Sequence, residues 1–365
     1  MRTPEGKLAE HTRESVLGER LDGNRVRCLA CAHRCRIAPG FAGVCKVRFN
    51  RDGKLYAPYG YVSGIHCDPI EKKPFFHVRP GCGALSFGML GCDLHCGYCQ
   101  NWLTSQALRD QRSTLDFVPV EPRTIVDAAI TTGADVVVST YNEPLITAEW
   151  AVEVFHLAHQ AGLLTGLVSN GNATREVLQY LRPYVDLYKV DLKSFNDRRY
   201  RELGGRLGPI LDAIALIHEM GFWLEIVTLV VPDFNDSDAE LWSIARFIED
   251  LSGDIPWHVS AFRPQYKMMS GDDTPVATVM RAYQIGRNAG LHFVYTGNLS
   301  GVAGAREDTF CPVCDTPLIR RHGFHILESR VGKAGVCPAC HASIPGVWAG
   351  ALAESVCISD ATVLY

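Results

Sequence analysis

The chain reads as an α/β protein, a partial (β/α)6-type TIM barrel with small Cys-rich metal-binding modules at both ends. Three observations predict it. Between residue 84 and about residue 300, short apolar, β-branched runs alternate with amphipathic helical stretches. Several of those stretches end at glycine (Gly133, Gly162, Gly221, Gly290), the residue that most readily takes the left-handed turn closing a helix. Eleven of the fourteen cysteines fall into three spaced groups, and two of these groups lie in Pro- and Gly-rich sequence outside the alternating region.

The first 80 residues carry one cysteine group and many turn residues, with no sustained helical period after about residue 20. So short a segment buries little core alone, so we expect residues 1–80 to be a metal-stapled module. Residues 81–303 are expected to form the barrel. Its strands are predicted at Ala84–Met89, Ala134–Thr140, Leu164–Ser169, Leu187–Leu192, Trp223–Val231, Trp257–Phe262 and His292–Thr296. Helices are predicted at Pro122–Thr131, Thr147–Gln160, Thr174–Leu181, Pro209–Met220, Asp238–Leu251 and Pro275–Asn288. Alternation at this spacing implies parallel strands joined by right-handed crossovers. On pattern alone a doubly wound open sheet competes with the barrel, and in both the C-terminal strand ends carry function. Residues 304–365 return to Cys- and Pro-rich, turn-dense sequence, a third small module.

Composition narrows the functional classes. A hydrophobic share of 47% and a charged share of 21% describe a soluble globular protein. The net charge of −4 provides no bulk basic field, which argues against nucleic acid as a partner. No run of about 18 apolar residues predicts a membrane span, and Met1–Lys7 lacks the apolar core of a signal peptide. A cytoplasmic location is therefore expected, and in that reducing setting the cysteines read as metal ligands rather than disulfides.

Cys92, Cys96 and Cys99, spaced C-x3-C-x2-C, directly follow the first barrel strand. Three thiolates on one loop suit three irons of a cubane [4Fe–4S] cluster and leave the fourth iron without a protein ligand, the open position expected of a catalytic metal. A zinc knuckle is the alternative. Cys311, Cys314, Cys337 and Cys340 form two C-x2-C knuckles 22 residues apart, a closed tetrahedral set for structural zinc, with a rubredoxin-like iron as the alternative. Cys28, Cys31, Cys35 and Cys45 suit zinc or iron. Cys67, Cys82 and Cys357 read as ordinary buried thiols.

The barrel strands also end in polar sequence: Ser139-Thr140-Tyr141-Asn142-Glu143-Pro144, Ser169-Asn170-Gly171-Asn172, Asp191-Leu192-Lys193 and Val231-Pro232-Asp233-Phe234-Asn235-Asp236, with His258 beside Trp257 on the sixth strand. Each alone is good turn material. Their common placement beside the cysteine loop is not explained by turn chemistry.

Taken in order, these segments resemble the radical S-adenosylmethionine (radical SAM) superfamily, in particular relatives of the pyruvate formate-lyase activases and the radical SAM enzyme of the AmmeMemoRadiSam system. The segments Cys28–Cys35, Asp68–Pro74, the cluster loop, Tyr141–Pro144, Phe262-Arg263-Pro264 with Tyr266-Lys267-Met268, and Ile344–Trp348 carry the resemblance. It implies that Cys92, Cys96 and Cys99 hold the [4Fe–4S] cluster, with Tyr98 the typical aromatic before the last cysteine. It further implies that Glu143, Ser169, Asn170, Asp191, Lys193 and His258 contact S-adenosyl-L-methionine (SAM). Val168 stands where some activases place an aspartate for a monovalent cation. The implied reaction is reductive cleavage of SAM to a 5′-deoxyadenosyl radical that abstracts hydrogen from a substrate. The implied partners are a one-electron donor such as flavodoxin or ferredoxin, and Memo-like and AMMECR-like proteins. Two rivals are activation of a glycyl-radical enzyme and a non-catalytic iron–sulfur or zinc-ribbon protein for electron transfer or binding.

Overall fold

The structure is a computed structural model and describes residues 7–113, 116–299 and 304–348. Its centre is one eight-stranded sheet: β1 (Gly64–Pro69), β2 (Gly83–Gly88), β3 (Ala134–Ser139), β4 (Leu164–Ser169), β5 (Leu187–Asp191), β6 (Trp223–Val230), β7 (Trp257–Ala261) and β8 (Val294–Gly297). The strands lie side by side in chain order, β2 to β8 all parallel. Strands β1 and β8 are the two edges, so the barrel is open. All seven predicted strands are present, with ends shifted by two residues at most.

Strand β1 lies outside the predicted set. It pairs antiparallel with β2 over the whole of Gly64–Pro69, although it precedes the boundary drawn at residue 80. Its sequence, Gly-Ile-His-Cys-Asp-Pro, starts on a poor strand former and stops at a proline, a pattern compatible with an edge.

The helices α1 (Pro122–Thr131), α2 (Ala148–Gln160), α3 (Arg175–Leu181), α4 (Leu207–Glu219), α5 (Asp238–Leu251) and α6 (Val276–Ala289) follow β2 to β7 in alternation. Local chemistry sets their ends. Thr174 and Ser237 accept from the backbone N–H groups of Val177 (3.1 Å) and Glu240 (3.3 Å), Pro122 opens α1, and Gly290 closes α6 at φ 108°. The outer faces of the strands meet the helices in a core that includes Trp150, Phe155, Tyr188 and Trp257. One end of the barrel interior is filled by Ile70, Phe75 and Val78 from the β1–β2 connection, packed on Ala84, Val136, Val138 and Leu187.

Two small antiparallel sheets lie N-terminal to this connection. Their segment is tied to α2 by the buried guanidinium of Arg48, which donates to Ile146 O (2.8 Å) and Ser15 Oγ (2.9 Å) and pairs with Glu149. At the other end, strands Pro317–His322 and His325–Ser329 pack beside β8, where Leu318, Ile319 and Ile344 join Phe76 and Tyr295. Arg321 donates to Phe76 O (2.7 Å), and Val347 N–H donates to His77 O (2.7 Å). Among the described residues no helix is long and apolar enough to cross a membrane.

Candidate functional site

The loop after β2 turns sharply, and its backbone sits tightly against its neighbours. A Cβ on Gly88 would stand 2.6 Å from Thr140 O, and one on Gly91 (φ 96°) 2.9 Å from Val47 Cγ1, so glycine is required at both. Asp93, one residue past Cys92, is buried. Its two oxygens accept from the side-chain amides of Asn170 and Asn172, each at 2.7 Å. Leu94 N–H points at Cys92 Sγ (3.4 Å), and the Ser105 hydroxyl lies 3.1 Å from Cys99 Sγ. Tyr98 is buried edge-on against Phe234 and Phe262. Thus a buried carboxylate ties the loop to the segment after β4.

The strand ends bring a second carboxylate. Glu143 is 2% exposed, its Oε1 accepting from Ser169 Oγ (2.7 Å) and Leu145 N–H (3.1 Å) and its Oε2 from Asn170 N–H (2.8 Å). Asn170 therefore binds Glu143 with its backbone and Asp93 with its side chain, which locks β4 to both. Burial, and next the charge of Asp93, push Glu143 up to about 8. Burial also raises the three thiols, Cys96 to about 12, and the charges of Asp93 and Glu143 add to the rise at Cys92. Such a pocket favours an incoming cation: metal ions draw protons from thiols, and an ammonium draws one from a buried carboxyl.

On the other side of Cys96 stand Asp191 and Lys193. Burial would raise Asp191, but the ammonium groups of Lys189 and Lys193 outweigh it and hold the carboxyl below its usual range. Burial would lower Lys193, yet the charges of Asp191 and then Cys96 hold it well above its usual range. Among the predicted residues, Glu143, Ser169 and Asn170 thus form one network beside Cys92, and Asp191 and Lys193 a second one coupled to Cys96 and Tyr98.

His258 stands apart from them. Its Nε2 lies 2.7 Å from Glu225 Oε2, and the edge of Phe76 closes over it. Glu225 also accepts from the backbone N–H groups of Phe76 and His77 (3.0 Å each) and from Trp223 Nε1 (3.0 Å), so this pair belongs to a buried network. The polar residues after β6 serve the turn: the Asn235 side chain bonds Val231 N–H, Leu229 O and Lys193 O. Val168 lines the apolar interior next to Val138 and Leu187.

Sequence reasoning missed Asp93, Lys189 and Glu225 as members of these networks, and placed Asn172 only within its polar strand-end segment. An acidic residue inside an apolar cysteine loop was the available signal for Asp93. Lys73, within the quoted Asp68–Pro74 segment, is buried and donates to Asp68 (2.9 Å) and the Tyr141 hydroxyl (3.1 Å), joining that segment to the β3 strand end. A cavity of about 250 Å³ opens beside Gln100, lined by Phe76, Arg263, Thr296, Glu307 and Phe324.

The four C-terminal thiols gather within 4.8 Å of one another, with Cys311–Cys340 and Cys314–Cys337 each at 3.6 Å. Thiolates about 2.3 Å from a tetrahedral ion stand about 3.8 Å apart, so this set fits a single metal ion. Hydrogen bonds from the Thr316 hydroxyl and backbone hold Cys314 down at about 6. Cys67 and Cys82 are buried; Cys357 lies outside the described residues.

The profile of the Radical SAM superfamily matches residues 88–248. The chain is 36% identical over 315 residues to the uncharacterized protein MJ0808 of Methanocaldococcus jannaschii, covering 86% of this chain and 92% of that one. It is 29% identical over 107 residues to the choline trimethylamine-lyase activating enzyme of Oleidesulfovibrio alaskensis, covering 29% of this chain and 34% of that one. A solved domain of the pyruvate-formate lyase-activating enzyme from Bacteroides vulgatus aligns with 43% of this chain and 94% of its own, at 19% identity and a TM-score of 0.36.

Proposed function

We propose that this chain, which belongs to the radical SAM superfamily, cleaves SAM at a [4Fe–4S] cluster held by Cys92, Cys96 and Cys99 and uses the resulting radical to take hydrogen from a substrate. When bound and reduced, the cluster supplies one electron to the SAM sulfonium, which yields methionine and a 5′-deoxyadenosyl radical. The observation that carries this reading is the double bond set of Asn170, which fixes a buried carboxylate, Glu143, beside the cysteine loop.

Each residue then has a task. Asp93 and its two asparagines hold the loop so that its thiols face one point. Glu143, oriented by Ser169 and Leu145, meets the SAM ammonium and loses its proton to that charge. Lys193, kept charged by Asp191, meets the SAM carboxylate. Tyr98 and its aromatic neighbours keep water from the centre. The cavity beside Gln100 is the approach for substrate, with Arg263 and Glu307 at its wall. In this reading His258 acts at a distance, through Glu225 and the packing of Phe76.

The C-terminal set holds zinc, and a flavodoxin- or ferredoxin-like donor supplies the electron in the cytoplasm. Memo-like and AMMECR-like proteins are the proposed companions. The test is formation of 5′-deoxyadenosine by the anaerobically reconstituted, reduced protein with SAM. Absence of that product from a protein holding its four-iron cluster would refute the proposal.

A further inference from the structure

The N-terminal cysteines are built for more than a staple. Cys28 ends the strand Val26–Cys28, and its N–H donates to Cys35 O (3.0 Å), which brings the two ends of the Cys28–Cys35 turn together. The 43–48 loop closes on this turn from the other side. Val44 N–H points at Cys35 Sγ (3.4 Å), and a Cβ on Gly43 would stand 3.3 Å from the same sulfur. Cys28, Cys31 and Cys45 are buried and Cys35 half-buried, and Cys31 lies within reach of the charges of the other three.

Spacing separates this set from the C-terminal one. Among the described residues, the C-terminal thiols are the group that gathers within 4.8 Å, as ligands of one ion must. Neither the N-terminal thiols nor Cys92, Cys96 and Cys99 form such a group, and ligands on separate irons of a cubane need not.

Placement makes the set useful. Arg109 donates to Val44 O (2.7 Å) with one nitrogen and to Leu94 O (2.9 Å) with another, bridging the two cysteine loops. A Cβ on Gly91 would lie 3.3 Å from Cys45 O. Ala32 N–H donates to Asn172 O (2.9 Å), and the Asn172 side chain holds Asp93. One layer of chain therefore separates the two groups of sulfurs.

We propose that Cys28, Cys31, Cys35 and Cys45 hold a second [4Fe–4S] cluster, which takes one electron from a low-potential iron–sulfur or flavin donor and passes it to the cluster on Cys92, Cys96 and Cys99. The donor is oxidised by one electron and the first cluster is reduced by one; no bond forms or breaks, and no proton moves. Cys35, half-buried between the exposed Arg34 and Arg36, marks the side where the electron enters.

The test is anaerobic reconstitution of the full chain with iron and sulfide, followed by metal analysis and electron paramagnetic resonance of the reduced protein. Wild type should hold about eight irons, as two cubanes require. Cys31→Ala should hold about four. The triple variant Cys92→Ala/Cys96→Ala/Cys99→Ala should also hold about four and keep the signal of one reduced cubane. It reads the second site whether or not the first has the function proposed above. In reduced wild type the signal should be broadened by coupling between neighbouring clusters, and either variant should sharpen it. A triple variant with no iron–sulfur cluster, or with a second zinc beyond that of the C-terminal set, would overturn the proposal. So would a wild type holding about four irons.

Discussion

The cluster loop and the C-terminal ribbon are both built from cysteines on turns, yet their surroundings are opposite. In the ribbon, four thiols gather within 4.8 Å of one another, two of them exposed, and Thr316 eases the proton off Cys314. In the loop, one buried and two half-buried thiols stand near two buried carboxyls, and burial holds their protons on. In the proposed reading the ribbon is satisfied by its metal alone, and the loop only once both a metal and a cationic ligand are bound. Closed coordination serves stability and open coordination serves chemistry, at the cost of an unfavourable empty state.

That contrast can be broken most forcefully at the ribbon. Stripping its metal, or Cys337→Ser, should cost more than about 4 kcal/mol of ribbon stability, because metal binding is folding free energy in such modules. Calorimetry should show the lost transition, while SAM cleavage per bound four-iron cluster persists. Loss of cleavage with an intact transition would erase the distinction.

Glu143 sharpens it from the other side. Its carboxyl, about 8 in the folded chain against an ordinary value near 4.5, holds its proton longer folded than unfolded. The stability it contributes is therefore complete below about pH 4.5 and is lost as the pH rises through about 8. Glu143→Gln should make the cluster-free protein more stable at pH 8 by about 2–4 kcal/mol and flatten that pH dependence. The same variant should weaken SAM binding to the reconstituted protein by about 10–100-fold, as loss of a charge-assisted hydrogen bond does. A flat wild-type profile in denaturant titrations between pH 5 and pH 8 would contradict this account.

A smaller effect is expected at Ser169, whose hydroxyl orients Glu143. Ser169→Ala should weaken SAM binding about 2–10-fold, in line with one neutral hydrogen bond of about 0.5–1.5 kcal/mol, and leave iron content unchanged. Titration calorimetry with SAM reads it directly, and an effect as large as that of Glu143→Gln would make Ser169 a ligand in its own right.

The parallel strands and their helices were legible because the strands are short buried runs, most of them rich in β-branched or aromatic residues, and each helix ends at a glycine or begins at a cap. Strand β1 was not, because its polar residues and terminal proline read as a loop until β2 pairs with it. The three loop cysteines stood out by their spacing, and Glu143 through the resemblance that its segment carries. Asp93 and Glu225 did not. Each looks like a turn residue or a surface charge in sequence, and its role exists only where loops distant in the chain meet. His258 shows the converse: it lies at the level of Asp191, since both pair with Val227, but its ring is committed to Glu225. Strand order reports which residues share a level; it does not report which neighbour a side chain takes.

The central claim is that Cys92, Cys96 and Cys99 form the chemical centre of the chain. The most direct measurement compares 5′-deoxyadenosine formation by anaerobically reconstituted, reduced wild type and Cys96→Ala supplied with SAM. The account predicts product from wild type and only background from the variant; equal product from both would contradict it.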